Sequence, residues 1–250
     1  MDWHDDPRKD QAWYDHQREI LDPVIVAQEI DRDYDASVAN SFIPGSTVTA
    51  AMDRKITETV LVGPLLVGID VARYGNDKSV ITFRRGRALI KQIVLSQQSI
   101  TDLAGRARAE IDPYLRHVSL GQIAVDAIGL GAGVADMLRQ WFTCVLDVNS
   151  SLKLSNGRDY NLRAFMWREM REWLMTAHLT RDHELRTQLT ALRYHYRNGL
   201  LMIESKDEAK ARGVYSPDQA DSLALTFAAP PAPETIIDIP INQADMYAGY

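Results

Sequence analysis

Three aspartates stand where carboxylates could do chemistry. Asp70 closes the apolar run "LLVGID", Asp126 closes "QIAVD", and Asp221 lies inside "SPDQADSLALTFA", with Asp218 one helical turn earlier on the same face. Taken singly, an acid at a strand end reads as a solvated turn residue. Asp218 alone reads as an acid favoured by the dipole of a helix N-terminus. Taken together they suggest a cluster, and a cluster is costly. Two bare charges about 4 Å apart repel by roughly 4 kcal/mol at an effective dielectric near 20. A divalent cation between them removes that cost. Hard oxygen ligands select Mg²⁺ or Mn²⁺, and two such ions about 3.5–4 Å apart can clamp the attacking and leaving oxygens of a phosphodiester.

The elements that must carry these acids follow from the pattern. Leu65–Val71, Ser79–Arg85 and Ala88–Leu95 read as strands joined by short turns, hence as antiparallel neighbours. A helix with Ser99 as its cap precedes a buried strand over Gln122–Ala127. A helix over Gly131–Trp141 and a strand over Thr143–Val148 come next, then a long helix over Asp159–His178 and a shorter one over Glu184–Leu192. The long helix carries a stripe of Leu162, Phe165, Met166, Met170, Trp173 and Leu174, which reads as core. "RYHYRNGLLMIE" carries an Asn-Gly hairpin signal, and "SKDE" from Ser205 is a capping box. In the closing helix Ser216 is the expected cap, Pro217 the first helical residue and Gln219 the far side of a second capping box. Three antiparallel strands followed by alternating helices and strands predict a mixed α/β sheet with helices on both faces. The first and fourth strands can then lie side by side and parallel, so that Asp70 and Asp126 leave the same edge.

Outside this region the chain reads differently. Residues 1–50 look like an appendage, with helical spacing over Asp10–Ile30 and an irregular connection over "SFIPGSTVTAAMD". The proline-containing end, 230–250, reads as a tail. Cys144 is the single cysteine, which rules out an internal disulfide and fits a reducing cytoplasm. No apolar run approaches the roughly 18–20 residues needed to cross a bilayer, so no membrane is expected as a partner. The net charge of −6 argues against binding nucleic acid through bulk electrostatics. The first 40 residues hold eleven acids against Arg8, Lys9, Arg18 and Arg32, a net of −7, which leaves the remainder at +1. Between Lys153 and Arg212 twelve bases face eight acids, so a local basic surface is allowed. "GLGAG" after Asp126 lacks the third glycine of a dinucleotide loop and reads as a tight turn.

The ordered set "GIDVARYGNDKSVI", "VDAIGLGAGVADML" and "SPDQADSLALTFA" resembles the nuclease domain of the large terminase subunit of tailed bacteriophages, over roughly residues 61–229. The resemblance implies a ribonuclease-H-like fold: a mixed five-stranded core sheet with helices on both faces, plus a β-hairpin. It divides the chain into an ATPase-domain remnant and linker (1–58), the nuclease domain (59–229) and the tail (230–250). It implies that Asp70, Asp126 and Asp221 are the catalytic metal-binding acids, with Asp77 accessory and Asp218 at a variable ligand position. It implies Mg²⁺ or Mn²⁺ as cofactor, as a pair of ions, and endonucleolytic cutting of concatemeric double-stranded DNA during genome packaging. In relatives a hairpin near "RYHYRNGLLM" approaches DNA, which makes Arg193, Arg197, Lys206, Lys210 and Arg212 candidate phosphate contacts. The implied partners are the small terminase subunit, the portal protein, the procapsid and the ATPase domain of the same protein, in the host cytoplasm. The chain holds no "GxxxxGK[ST]" loop and is expected to be the C-terminal part of a longer protein.

Other readings stay open. Junction resolvases and DDE-type recombinases share the implied fold and metal chemistry. "VGIDVARYGNDKS" also resembles the phosphate loop of sugar kinases and actin-like ATPases, but a second lobe and an adenosine-binding glycine motif are missing. A non-catalytic packaging or portal-docking module would keep the acids as structural groups.

Overall fold

The computed structural model describes residues 8–20, 26, 30, 41–56, 61–72 and 78–229. Helix α1 (Gln11–Ile20) buries no residue, whereas α2 (Gly45–Asp53) buries Val48 and Ala51. The segment expected as an irregular connection is therefore a helix. Phe42 and Ile43 lead into it fully buried, and together these four apolar residues join the main core.

The sheet forms as its sequence pattern demands. Strand β2 (Ser79–Arg85) runs antiparallel to both β1 (Leu65–Asp70) and β3 (Ala88–Leu95). Strand β4 (Leu120–Asp126) pairs with β1 in parallel, and β5 (Val145–Val148) pairs with β4 in parallel. The order is β3-β2-β1-β4-β5, the expected mixed five-stranded sheet. Every residue of β1 is buried, as expected of a central strand covered on both faces.

Side chains alternate between two cores. Leu65, Val67 and Ile69 of β1, with Ile123 and Val125 of β4, pack under α3 (Ile100–Ile111) and α4 (Gly131–Arg139). Ser99 caps α3 as expected, accepting from the Asp102 N–H at 3.1 Å. Ala124 faces the other way, into a core built from α2, α5 (Leu162–Leu174), α6 (His183–Ala191), a hairpin and the closing helix. With a period of two, Asp70 shares a face with Gly68, and Asp126 shares one with Ala124. Both acids thus project on the side away from α3 and α4.

Helix α5 begins at Leu162 rather than Asp159, because Asn161 accepts from the Ala164 N–H at 2.9 Å and sets the cap there. Asp159 is fully buried and holds Arg168 through a two-oxygen ion pair with contacts of 2.9 Å. The predicted hairpin is present as β6 (Tyr194–Arg197) and β7 (Leu200–Ile203), turned by Asn198 and Gly199. The capping box at Ser205 and Glu208 opens α7 (Lys206–Ala211).

Helix α8 (Asp218–Leu225) is buried along almost its whole length against β1 and β2. Gly68 makes this possible: a Cβ there would stand 2.1 Å from the Ser222 carbonyl oxygen. The Ser222 hydroxyl bonds to the Gly68 and Val80 carbonyls at 3.0 Å and lies 2.7 Å from the Thr82 hydroxyl. Arg84 and Gln122 hold the other end through the Thr226 carbonyl. The expected cap is not made. Pro217, not Ser216, occupies the cap position, with no side-chain bond. The Gln188 Oε1 of α6 instead accepts from the Gln219 and Ala220 N–H groups at 2.8 and 3.2 Å. A tertiary contact has replaced the local one.

Candidate active site

The two strand-end acids arrive side by side. Ile69 pairs with Val125, so Asp70 and Asp126 leave adjacent parallel strands one step further on. The first turns of α8 bring Asp218 and Asp221 to the same edge. All four line a cleft of about 440 Å³, with Asn161 and Arg163 of the α5 start, Trp167 deeper in α5, and Lys206 of α7.

Asp221 is held from three sides. Its Oδ1 accepts from the Arg163 guanidinium at 3.2 Å and from the Trp167 indole N–H at 3.0 Å. Its Oδ2 stands 3.2 Å from Lys206 Nζ, in ion-pair range, yet is buried without a hydrogen-bond partner. Burial alone would raise the carboxyl. Arg163, Lys206 and Trp167 outweigh it and hold Asp221 below the usual carboxylate range.

Asp70 is the opposite case. It is only 6% exposed, and its nearest cation, Lys206 Nζ, is 3.8 Å away. Burial, with added repulsion from Asp221, Asp126 and Asp218, pushes its pKa up to about 7 despite that cation. Asp126 is also raised by burial, against a bond from the Ile128 N–H at 3.2 Å. Lys206 sits between these charges, with its own pKa raised: burial works against its charge, and Asp221 and Asp70 overcome that. Asp218 is 8% exposed, and its Oδ2 accepts from the Lys78 N–H at 3.0 Å, tying α8 to the start of β2. Asp77 lies outside the described residues.

The basic candidates divide. Lys206 faces into the acid cleft. Arg212 is committed to Glu204, with two contacts of 2.6 Å. Arg193 gives its backbone N–H to Glu204, and the exposed Arg197 lies over the Tyr160 ring at 5.7 Å. Lys210 is exposed on α7. Sequence reasoning missed Arg163 and Trp167 as site residues. The signal available was their i, i+4 spacing on a capped helix, but apolar neighbours made the segment read only as core.

Among the described residues no three of His, Cys, Asp or Glu stand at ligating spacing for a metal ion. The donors nonetheless suit a hard cation. They are all carboxylates, they converge on one cleft, and one buried oxygen among them accepts no hydrogen bond. Lys206 supplies the countercharge in this arrangement.

No protein-family model matches the sequence, and no curated protein does. Solved structures do match the fold, among them nuclease domains of phage large terminase subunits. The nuclease domain of large terminase subunit gp2 of bacterial virus Sf6 is 17% identical, with a TM-score of 0.64, covering 77% of this chain and 100% of that one. A mutant form of that domain with manganese and beta-thujaplicinol gives a TM-score of 0.65 at 17% identity, over the same shares of both chains. The large terminase nuclease from thermophilic phage G20c with bound magnesium gives 0.53 at 16% identity, over 76% of this chain and 97% of that one. The chain has the fold of these domains.

Proposed function

We propose that this chain is the nuclease part of a viral genome-packaging terminase, a metal-dependent endonuclease that cuts concatemeric double-stranded DNA. The observation that carries the reading is the convergence of Asp70, Asp126 and Asp221 on one cleft, with the buried Asp221 Oδ2 facing Lys206 Nζ at 3.2 Å. Support comes from the fold and from solved neighbours that hold manganese or magnesium.

Asp70, Asp126 and Asp221 would hold the cations, Mg²⁺ or Mn²⁺, with Asp218 at the margin and Asp77 accessory. Two such ions, when bound, activate water as a nucleophile and neutralise charge on the attacking and leaving oxygens. The chain's own residues do the rest. The rigid ends of β1 and β4 fix Asp70 and Asp126. Arg163 and Trp167 orient Asp221. Lys206 offsets the carboxylate charge and competes with a cation for it. Lys210 and Arg197 are exposed and are proposed to meet DNA phosphates. The small terminase subunit, the portal protein, the procapsid and an ATPase domain of the same protein are the proposed partners, in the host cytoplasm.

The test is plasmid cutting with Mn²⁺. The wild type is expected to nick and linearise plain duplex, and Asp70→Asn or Asp126→Asn to abolish cutting while retaining the folded circular-dichroism spectrum. Normal cutting by a folded Asp70→Asn variant would refute the assignment. Preference for branched junctions over plain duplex would move the reading to a resolvase.

A further inference from the structure

Asp221 differs from the other acids in how its two oxygens are used. Oδ1 is saturated by two donors from α5: the Arg163 guanidinium at 3.2 Å and the Trp167 indole at 3.0 Å. Both donors are themselves fixed. Trp167 is fully buried, and Arg163 also donates to the Glu204 carbonyl at 3.0 Å, joining α5 to the end of β7. Asn161 caps the helix that carries them, and its first turn is tied to Ser150 and Leu152 through backbone bonds of 2.9 and 2.8 Å. Oδ2 takes no donor from α5; it is buried and faces Lys206 Nζ of α7 at 3.2 Å, a partner that a cation can displace.

We infer that Arg163 and Trp167 are positioning residues that restrict Asp221 to ligation through Oδ2 alone, and so bias the site towards octahedral cations and against Ca²⁺. The inference rests on the metal-site reading above and names what sets its ion preference. A carboxylate free to rotate can offer both oxygens to one ion. Ca²⁺ accepts that two-oxygen mode readily, with 6–8 ligands in flexible geometry, whereas Mg²⁺ demands a near-ideal octahedron. With Oδ1 engaged by two fixed donors, the two-oxygen mode requires breaking both bonds. Mn²⁺ serves as the octahedral probe.

The test is calorimetric titration of the intact chain with Mn²⁺ and with Ca²⁺ at pH 8, comparing wild type, Trp167→Phe, Arg163→Lys and Met170→Ala. Met170 is fully buried on the same helix and serves as the packing control. The ratio of the two dissociation constants is the readout, because a general loss of packing weakens both ions alike. Trp167→Phe and Arg163→Lys are each expected to lower the preference for Mn²⁺ over Ca²⁺ by at least about fivefold, and Met170→Ala to leave it within about twofold. Should Trp167→Phe fold poorly, Arg163→Lys decides by itself. Equal weakening of both ions in the two site variants, with an unchanged ratio, would overturn the inference and leave the metal site standing. Absence of binding of either ion to the wild type would instead overturn the metal site, and the inference with it.

Discussion

Lys206 Nζ reaches across the cleft to within 3.2 Å of Asp221 Oδ2, so a cation already stands beside the buried oxygen of that carboxylate. The contact joins α7, set by its capping box, to α8, set by its packing on β1 and β2. It makes the charge balance of the site depend on two short helices that are remote from β1 and β4 in sequence. The acids around Lys206 respond unequally, and this inequality can be measured.

Asp70 should destabilise the metal-free protein at alkaline pH. Its folded pKa of about 7 lies above the ordinary 3.8, so between those values the folded state binds the extra proton. Its contribution to stability is therefore greatest below pH 4 and is lost as pH rises through 7. Asp70→Asn in EDTA at pH 8 is expected to raise the melting temperature by at least about 2 °C, and to raise it much less at pH 5. Mn²⁺ affinity of the wild type should fall from pH 8 to pH 6, because the ion needs the deprotonated carboxyl. Calorimetry and thermal melts check both.

Asp221 should behave the other way. Its pKa is lowered in the fold, so its contribution is present at neutral pH and is lost as pH falls below the ordinary carboxylate range. Asp221→Asn leaves Arg163 and Lys206 without their shared anion. A loss of roughly 1–3 kcal/mol in denaturant unfolding at pH 7 is expected. Opposite signs for Asp70→Asn and Asp221→Asn are the specific outcome.

Lys206→Ala removes the built-in competitor. Mn²⁺ binding is expected to tighten by roughly tenfold, about 1.4 kcal/mol, while the metal-free protein loses melting temperature. Weaker Mn²⁺ binding in this variant would show that Lys206 organises the acids rather than competing for them.

Gly68→Ala tests the seat of α8. The new Cβ would fall 2.1 Å from the Ser222 carbonyl, so the helix must move away from β1 and take Asp221 with it. A cost of roughly 1–3 kcal/mol is expected from overpacking, together with loss of Mn²⁺-dependent cutting.

The sequence carried a good deal of this. The buried run ending in Asp70, the second ending in Asp126, the Asn198–Gly199 turn and the Ser205 capping box are local patterns, each legible within a few residues. Two antiparallel turns and two crossovers allow β1 to lie beside β4, and the structure pairs them. Other features lay beyond such patterns. The sequence at the start of α8 reads as locally capped, whereas Gln188, about thirty residues earlier in the chain, does the capping. The stretch "SFIPGSTVTAAMD" reads as an irregular connection, yet Gly45–Asp53 within it is α2, and Phe42, Ile43, Val48 and Ala51 fill the core. Local hydrogen bonds and hydrophobic periods are written in neighbouring residues, so the chain alone determined which segments become strands and helices, and which of them end on acids. The charge state of those acids depends on burial and on partners such as Arg163, Trp167 and Lys206, which reach the cleft from other elements. Only the packed structure decides those distances, and with them which carboxylate holds its charge and which resists it.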